Sequence, residues 1–288
     1  MTGSEFLIKK ELIIVLILSL LISSCFFVYA DNTKIHMIDV GHGDAVLVQT
    51  DDSNILIDAG SDRNTTAWYL GSQNITDVHQ FIVTGYSYDK TGGILEVMNR
   101  TRVHEYRDYG SYPSLESYQK VHGRIVNESI PFQPLILGDR IVVADTVFID
   151  VLQPNNTGRY SDEAIMKITT GNITTLLMNR EPAPDIILTK PVQILRVADH
   201  GSREGYDPGF ISTLQPEVAV ISTGKYDEPH PATVMGLKAT GAQVFRTDIR
   251  GTVIVLTDGE RYDLTTNRSS PYGGILSLVS VIETRPPG

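Results

Sequence analysis

The sequence predicts an α/β chain in which paired strands come first and strands alternating with helices follow. Three observations carry that expectation. KIHMIDV (34–40), AVLVQT (45–50) and NILIDAG (54–60) are β-type runs separated by the turn formers GHGD and DDSN. EAIMKITT (163–170) and ITTLLM (173–178) flank Gly171-Asn172, a two-residue hairpin turn. From residue 185 the texture changes: DIILT and VQILRVA are near-continuous apolar strands, and PGFISTLQ, EVAVIST, PATVMGLKATG, QVFRT and GTVIVLTDGERYDL then alternate helix with strand.

The remaining elements fill in between. FIVT (81–84) reads as a buried strand, and Gly92-Gly93 leads from it into ILEVMN, a short helix. LESYQKVHG (115–123) reads as a second helix ending at its glycine. DRIVVADTVFIDVLQP (139–154) is a further β-type run, and ILSLVSVI near the C-terminus adds a last strand with a frayed end. No internal repeat or low-complexity linker interrupts the chain. The expected organisation is a leader over 1–30, one domain over 31–264 and a C-terminal extension over 265–288.

The leader is expected to direct export. Lys9 and Lys10 precede an apolar run, residues 12–30, that closes on a Val28-x-Ala30 cleavage-like pattern. The run is nearly long enough to span a bilayer, so a retained membrane anchor is the alternative, and ISSC (22–25) offers a third, lipidation at Cys25. Each reading puts the body outside the cytoplasm, secreted or anchored at the outer face. Cys25 is the only cysteine, which leaves the body without a disulfide or a thiolate ligand. Seven of eleven asparagines (Asn64, Asn74, Asn99, Asn127, Asn155, Asn172 and Asn267) lie in N-x-[ST] sequons, where roughly two are expected by chance, and N-glycosylation is the expected consequence. The formal net charge of −10 lacks the basic footprint of a protein that neutralises many phosphates, so nucleic acid is not an expected partner. An extracellular ligand or protein is.

IDVGHGDAVLVQTDDSNILIDAG (38–60) resembles the opening of the metallo-β-lactamase superfamily, specifically the ComEC-like group, the extracytoplasmic domain of a DNA-uptake channel. The matching residues are Asp39, Gly41, His42, Gly43 and Asp44, then Leu56, Ile57, Asp58 and Gly60. LRVADHGS (195–202), ISTGKYDEPHP (221–231) and FRTDIRGTV (245–253) resemble further motifs of the group in the same order. The resemblance covers residues 34 to 264 and implies a four-layer αββα sandwich. It also implies a loop, T-H-x-H-x-D-H-x-G-G, that gathers imidazoles and a carboxylate around divalent ions, which activate water for attack on an ester.

TGYSYDKTGG (84–93) is this chain's version of that loop. Gly85 and Ser87 stand at two imidazole positions, Asp89 keeps its place, and Lys90 replaces the third imidazole. In LLMNR (176–180), Arg180 stands where the group has its bridging carboxylate, and Asp199-His200 replaces a tandem of imidazoles. The first expectation is a non-catalytic member in which Asp58, Asp89 and Asp199 are neutralised by Lys90 and Arg180 rather than by a metal. The second is a hydrolase of phosphodiesterase or nuclease type, with one Zn or Mn on Asp89, His200 and Asp58 or Asp199, and His230 orienting substrate. Metal-free acid–base chemistry by His200 and Asp199 is the third. Tyr86, Tyr88, Tyr106, Tyr109 and Tyr112 are expected either as an aromatic platform at the cleft mouth or as cover for the sandwich edge. His36, His79, His104 and His122 lack metal-like spacing and read as surface or packing residues.

Overall fold

The computed structural model describes residues 32–108, 115–152, 163–180, 188, 191–224 and 229–267. The described residues belong to one compact unit. Among the described residues no helix is long and apolar enough to cross a membrane. The leader, Tyr109, Tyr112, Asn155, the DIILT segment except Leu188, and the tail beyond Asn267 lie outside the described residues.

Two sheets form the centre. The first has eight strands: β1 (Thr33–Met37), β2 (Val46–Gln49), β3 (Asn54–Ile57), β5 (Gln80–Val83), β7 (Tyr106–Asp108), β8 (Phe132–Pro134), β16 (Val253–Thr257) and β17 (Tyr262–Thr266), in the order β17-β16-β1-β2-β3-β5-β7-β8. The second has seven, β9 (Arg140–Ala144), β10 (Val147–Val151), β11 (Met166–Thr170), β12 (Ile173–Leu177), β13 (Ile194–Arg196), β14 (Val218–Ile221) and β15 (Gln243–Arg246), running β15 to β9 across the sheet. A two-stranded pair, β4 (Asp77–Val78) with β6 (Arg102–Val103), sits apart.

Side-chain alternation along the strands sorts residues into layers. Ile35, Met37, Val46, Val48, Ile55 and Ile57 point inward and meet Ile149, Met166, Ile168, Ile194 and Val218 between the sheets. Leu47, Leu56 and Phe81 point the other way, onto α1 (Thr65–Ser72), α3 (Ile94–Arg100) and α4 (Glu116–Asn127) through Leu70, Val97, Val121 and Ile125. Leu176, Leu195, Ala219 and Ile221 pack on α5 (Pro208–Leu214) and α6 (Pro231–Ala239) through Ile211, Leu214 and Leu237. Three apolar cores between four layers make the αββα sandwich that the sequence resemblance implies.

Strand directions give the sandwich two distinct ends. β3, β5 and β7 are parallel, as are β12, β13 and β14, and their C-terminal ends meet at one end. The short helix α2 (Tyr88–Thr91) and the turn before β2 lie there, because Val46 pairs with Ile57. The hairpin of β11 and β12 and the start of β1 lie at the opposite end, where Thr33 pairs with Thr257.

Several elements differ from expectation. α4 runs through Gly123 to Asn127, since Val121 and Ile125 keep the apolar stripe in register across the glycine. DRIVVADTVFIDVLQP breaks into β9 and β10 around Asp145-Thr146. α1 is unannounced in the sequence because its inner face is made by Thr66, Ala67 and Leu70 while Trp68 stays exposed.

The loop glycine pair is held by close approach. A Cβ on Gly92 falls 2.0 Å from the Ser61 carbonyl oxygen, so any side chain there displaces the loop that follows β3. Gly92→Ala is expected to lose roughly 3 kcal/mol in chemical denaturation. Gly71→Ala in α1, where a Cβ meets nothing within 4 Å, is expected to gain about 0.5–1 kcal/mol.

Candidate functional site

Four loops converge at the C-terminal ends of the strands, tied by backbone hydrogen bonds. Asp44 N–H donates to the Asp89 carbonyl at 3.0 Å, Gly60 N–H to Asp44 at 2.8 Å and Ala59 N–H to Lys90 at 2.8 Å. The Ala164 N–H reaches across to the Thr84 carbonyl at 2.9 Å, which joins the two sheets beside the site. These bonds involve no side chain, so they hold the loops whatever occupies the centre.

Lys90 occupies it. Its side chain is 3% exposed, and Nζ lies 2.9 Å from Asp89 Oδ2, 3.2 Å from Glu163 Oε2 and 3.6 Å from Asp44 Oδ2. Nζ also donates to Ser87 Oγ at 3.3 Å. The buried Arg196 guanidinium pairs with the other Asp44 oxygen and donates to the Met178 carbonyl at 2.9 Å and to Asn179 Oδ1. Asn179 in turn donates to the Ala164 carbonyl, next to Glu163. His200 completes the group: Nδ1 donates to the Ser222 carbonyl at 2.9 Å, and Nε2 faces Asp89 Oδ2 at 3.4 Å. The exposed His42 ring lies over it, centroids 4.1 Å apart.

Each charge is set by its neighbours. Burial opposes the charge on Lys90, but Asp44, Glu163 and Asp89 raise its pKa further above the ordinary lysine value. Burial likewise opposes ionisation of Asp89, and the His200 hydrogen bond with the Lys90 charge holds its carboxyl well below the usual range. Asp44 is lowered in the same way, burial being outweighed by Arg196, Lys90 and His200. His200 is raised, its burial overcome by the Asp89 hydrogen bond and the Asp44 charge. Glu163 is raised, chiefly by burial. Burial also pushes Asp58 up to about 7, against the Lys90 charge and two Thr84 hydrogen bonds of 2.8 and 2.6 Å.

The sequence-derived site residues separate on these contacts. Asp89, Lys90 and His200 come together, with Asp58 buried behind them on Thr84. Asp199 is exposed and accepts a hydrogen bond from Ser202, while His230 caps α6 by accepting from Ala232 N–H at 3.2 Å. Arg180, assigned to the cluster from LLMNR, is exposed, and the buried cation paired with Asp44 is Arg196. Tyr86 and Tyr106 form no platform: both are buried, with hydroxyls 2.8 Å apart and Tyr86 bonded to Asp108, whereas Tyr88 is 77% exposed. His122 is bound to the same Asp108 at 2.7 Å, and His36 is buried against Tyr69, its pKa pushed by burial to about 4.

Asp44, Glu163 and Arg196 are the residues that sequence reading passes over. Asp44 ends the GHGD turn, and Arg196 sits inside LRVADHGS, so their motifs signal the region without separating packing from site. Glu163 has no motif. Its partner is a missing side chain: a Cβ on Gly85 falls 3.0 Å from Glu163 Cγ, so the glycine leaves the space that this carboxylate fills.

As a cation site the donors are half suited. Asp44, Asp89 and His200 each offer a ligand atom, all within 4.8 Å of one another. The Lys90 ammonium stands among them and Arg196 claims one Asp44 oxygen, so the donors present do not fit a divalent ion while both cations stay.

Comparison with known proteins agrees with this fold. Two relatives are 23% identical: ComE operon protein 3 of Bacillus subtilis (strain 168), over 79% of this chain and 34% of its own length, and Recombination protein 2 of Haemophilus influenzae, over 85% and 32%. The chain thus spans about a third of the length of these curated relatives. Among solved structures, the metallo-beta-lactamase fold protein YhfI of Bacillus subtilis matches with a TM-score of 0.55 at 13% identity, covering 74% of this chain and 96% of that one. Zn(2+)-bound PqqB from Methylobacterium extorquens matches with a TM-score of 0.54 at 9% identity, covering 74% and 97%. At such identities these structures speak for the fold alone. The model of the metallo-beta-lactamase superfamily matches residues 38–225, more than half of the sequence, and the chain belongs to that superfamily.

Proposed function

We propose that this chain is a non-catalytic, ComEC-related member of the superfamily that works outside the cytoplasm by binding a ligand or protein. The observation that carries this reading is the charge balance of the centre. Three carboxylates, Asp44, Asp89 and Glu163, face three bases, Lys90, Arg196 and His200, so protein groups supply the positive charge that a dinuclear centre takes from metal. Export is supported by the Lys9-Lys10 and 12–30 leader pattern and by the sequons; residues 12–30, if retained, attach the body to a membrane. The charge of −10 speaks against nucleic acid as the partner.

One observation favours a second reading. The ligand spacing of Asp44, Asp89 and His200 suits a single Zn or Mn, which would supply an activated water for a hydrolase. That reading requires the Lys90 ammonium to leave the centre.

Elemental analysis of the purified body separates the two. Substoichiometric Zn and Mn, with phosphodiesterase activity absent and insensitive to chelator, is the expected result; a stoichiometric metal that disappears in Asp89→Ala would favour the hydrolase.

Stability measurements test the cluster itself. Arg196→Met is expected to cost about 3–5 kcal/mol because it strands Asp44 beside fewer cations, while Arg180→Met is expected to change stability by less than about 1 kcal/mol. Equal effects would place the second cation at Arg180 after all.

Restoring metal binding needs the space as well as the ligands. Combined Gly85→His, Ser87→His, Lys90→His and Glu163→Ala is expected to gain Zn affinity by calorimetry, and Lys90→His alone is not. Tight Zn binding by the single variant would show that Glu163 and Gly85 are not coupled.

A further inference from the structure

The sequons divide by burial and by what their amides already do. Asn74 is exposed after α1, in a left-handed turn at φ +57 that asparagine tolerates, and its side chain has no hydrogen-bond partner among the described residues. Asn127 ends α4, exposed and with no side-chain hydrogen bond among the described residues, next to Val126, which is 75% exposed. Asn172 stands exposed in the turn between β11 and β12, tied only through its backbone N–H to the Gly259 carbonyl. All three lie at the end of the sandwich away from the Lys90 cluster, because α1 and α4 run from the cluster end to the opposite end and the β11–β12 turn lies there.

The other described sequons are held. Asn99 bridges two helices, its Nδ2 donating to Glu96 Oε2 at 3.1 Å while its Oδ1 accepts from Arg124. Asn267 Oδ1 accepts from Thr252 N–H at 2.8 Å, at the cluster end of β16. Asn64 is set apart by burial: it is half-buried at the start of α1, held through its backbone N–H, which donates to Asp62 Oδ1 at 2.9 Å. A glycan on the Asn99 amide nitrogen replaces one of its two N–H hydrogens and crowds both Glu96 and Arg124.

A cavity of about 380 Å³ opens beside Asn127, lined by Met98, Thr101, Arg102, His104, Glu128 and Ser129. Polar and apolar side chains share its lining, and Val103, Ile130 and Pro131 supply further apolar surface. Glu128 and Ser129 are the second and third residues of the Asn127 sequon itself.

We propose that Asn74, Asn127 and Asn172 carry N-linked glycans that cover the end of the sandwich opposite the cluster, with the Asn127 glycan covering the adjacent cavity and Val126. This inference rests on the export reading above. Its consequence is polarity: sugar closes one end to protein contact, and the cluster end with His42 and Tyr88 remains the open surface.

The test is to express the full chain with its leader in cells that N-glycosylate exported proteins, then to map sites by glycosidase release in heavy-oxygen water and peptide mass spectrometry. Conversion of Asn74, Asn127 and Asn172 in most copies, with Asn64, Asn99 and Asn267 converted in few, is the expected result. Asn74→Gln, Asn127→Gln and Asn172→Gln together should then abolish most of the glycan mass, which the corresponding Asn64, Asn99 and Asn267 variant should not. An exported chain unmodified at the three sites, or modified equally at all six, overturns the inference and leaves export standing. A chain retained in the cytoplasm overturns both.

Discussion

A lysine ammonium buried among three carboxylates is the constraint on which this end of the molecule depends. Desolvating one charge in a protein interior costs several kcal/mol even after relaxation, so Lys90 is tolerated only with its partners in place. Asp89, Glu163 and Asp44 lie within 3.6 Å of it and come from three separate loops. Arg196 and His200 then offset the surplus negative charge that three carboxylates around one ammonium leave behind. Removing any one of these groups leaves another buried charge without its match, which makes the cluster a unit and not a set of independent pairs.

The loops around the cluster are held by the backbone as well as by these charges. The bonds that join the residue 44, 59–60 and 89–90 segments use carbonyl and amide groups, and the glycine pair fits against Ser61 through the absence of side chains. Three residues of the site, Asp58, Asp199 and His200, have φ of +60, +45 and +50, a left-handed geometry that carboxylate and imidazole residues adopt more readily than most. That turn at Asp199-His200 sends one side chain to solvent and the other to Asp89, so tandem positions in sequence have opposite environments.

Much of the fold was legible from local pattern. The three opening strands, the Gly171-Asn172 turn and the later alternation of strand with helix follow from side-chain period and turn chemistry, which act within a few residues. Asp89, Lys90 and His200 were legible as a group through their motifs. The tyrosines were not: TGYSYDK reads as an exposed aromatic loop, yet Tyr86 turns inward to Asp108 and Tyr88 outward, a choice made by the space beside β7. Helix α1 was invisible because threonine and alanine on its inner face make no apolar stripe.

The sequence by itself determined the superfamily frame and the residue types of the loop after β5, with glycine at 85, serine at 87 and lysine at 90. These are statements about residue type at a motif position. Which cation joins Lys90 was decided only by tertiary structure: Arg196 ends β13 facing Asp44, while Arg180 lies three residues beyond the end of β12, exposed to solvent. Glu163 was equally beyond reach, since its role depends on a gap beside Gly85, seventy-eight residues away in the chain and in contact across the sandwich. Charge compensation in a buried site is a property of distance and solvent exclusion, and both are set by how the two sheets meet.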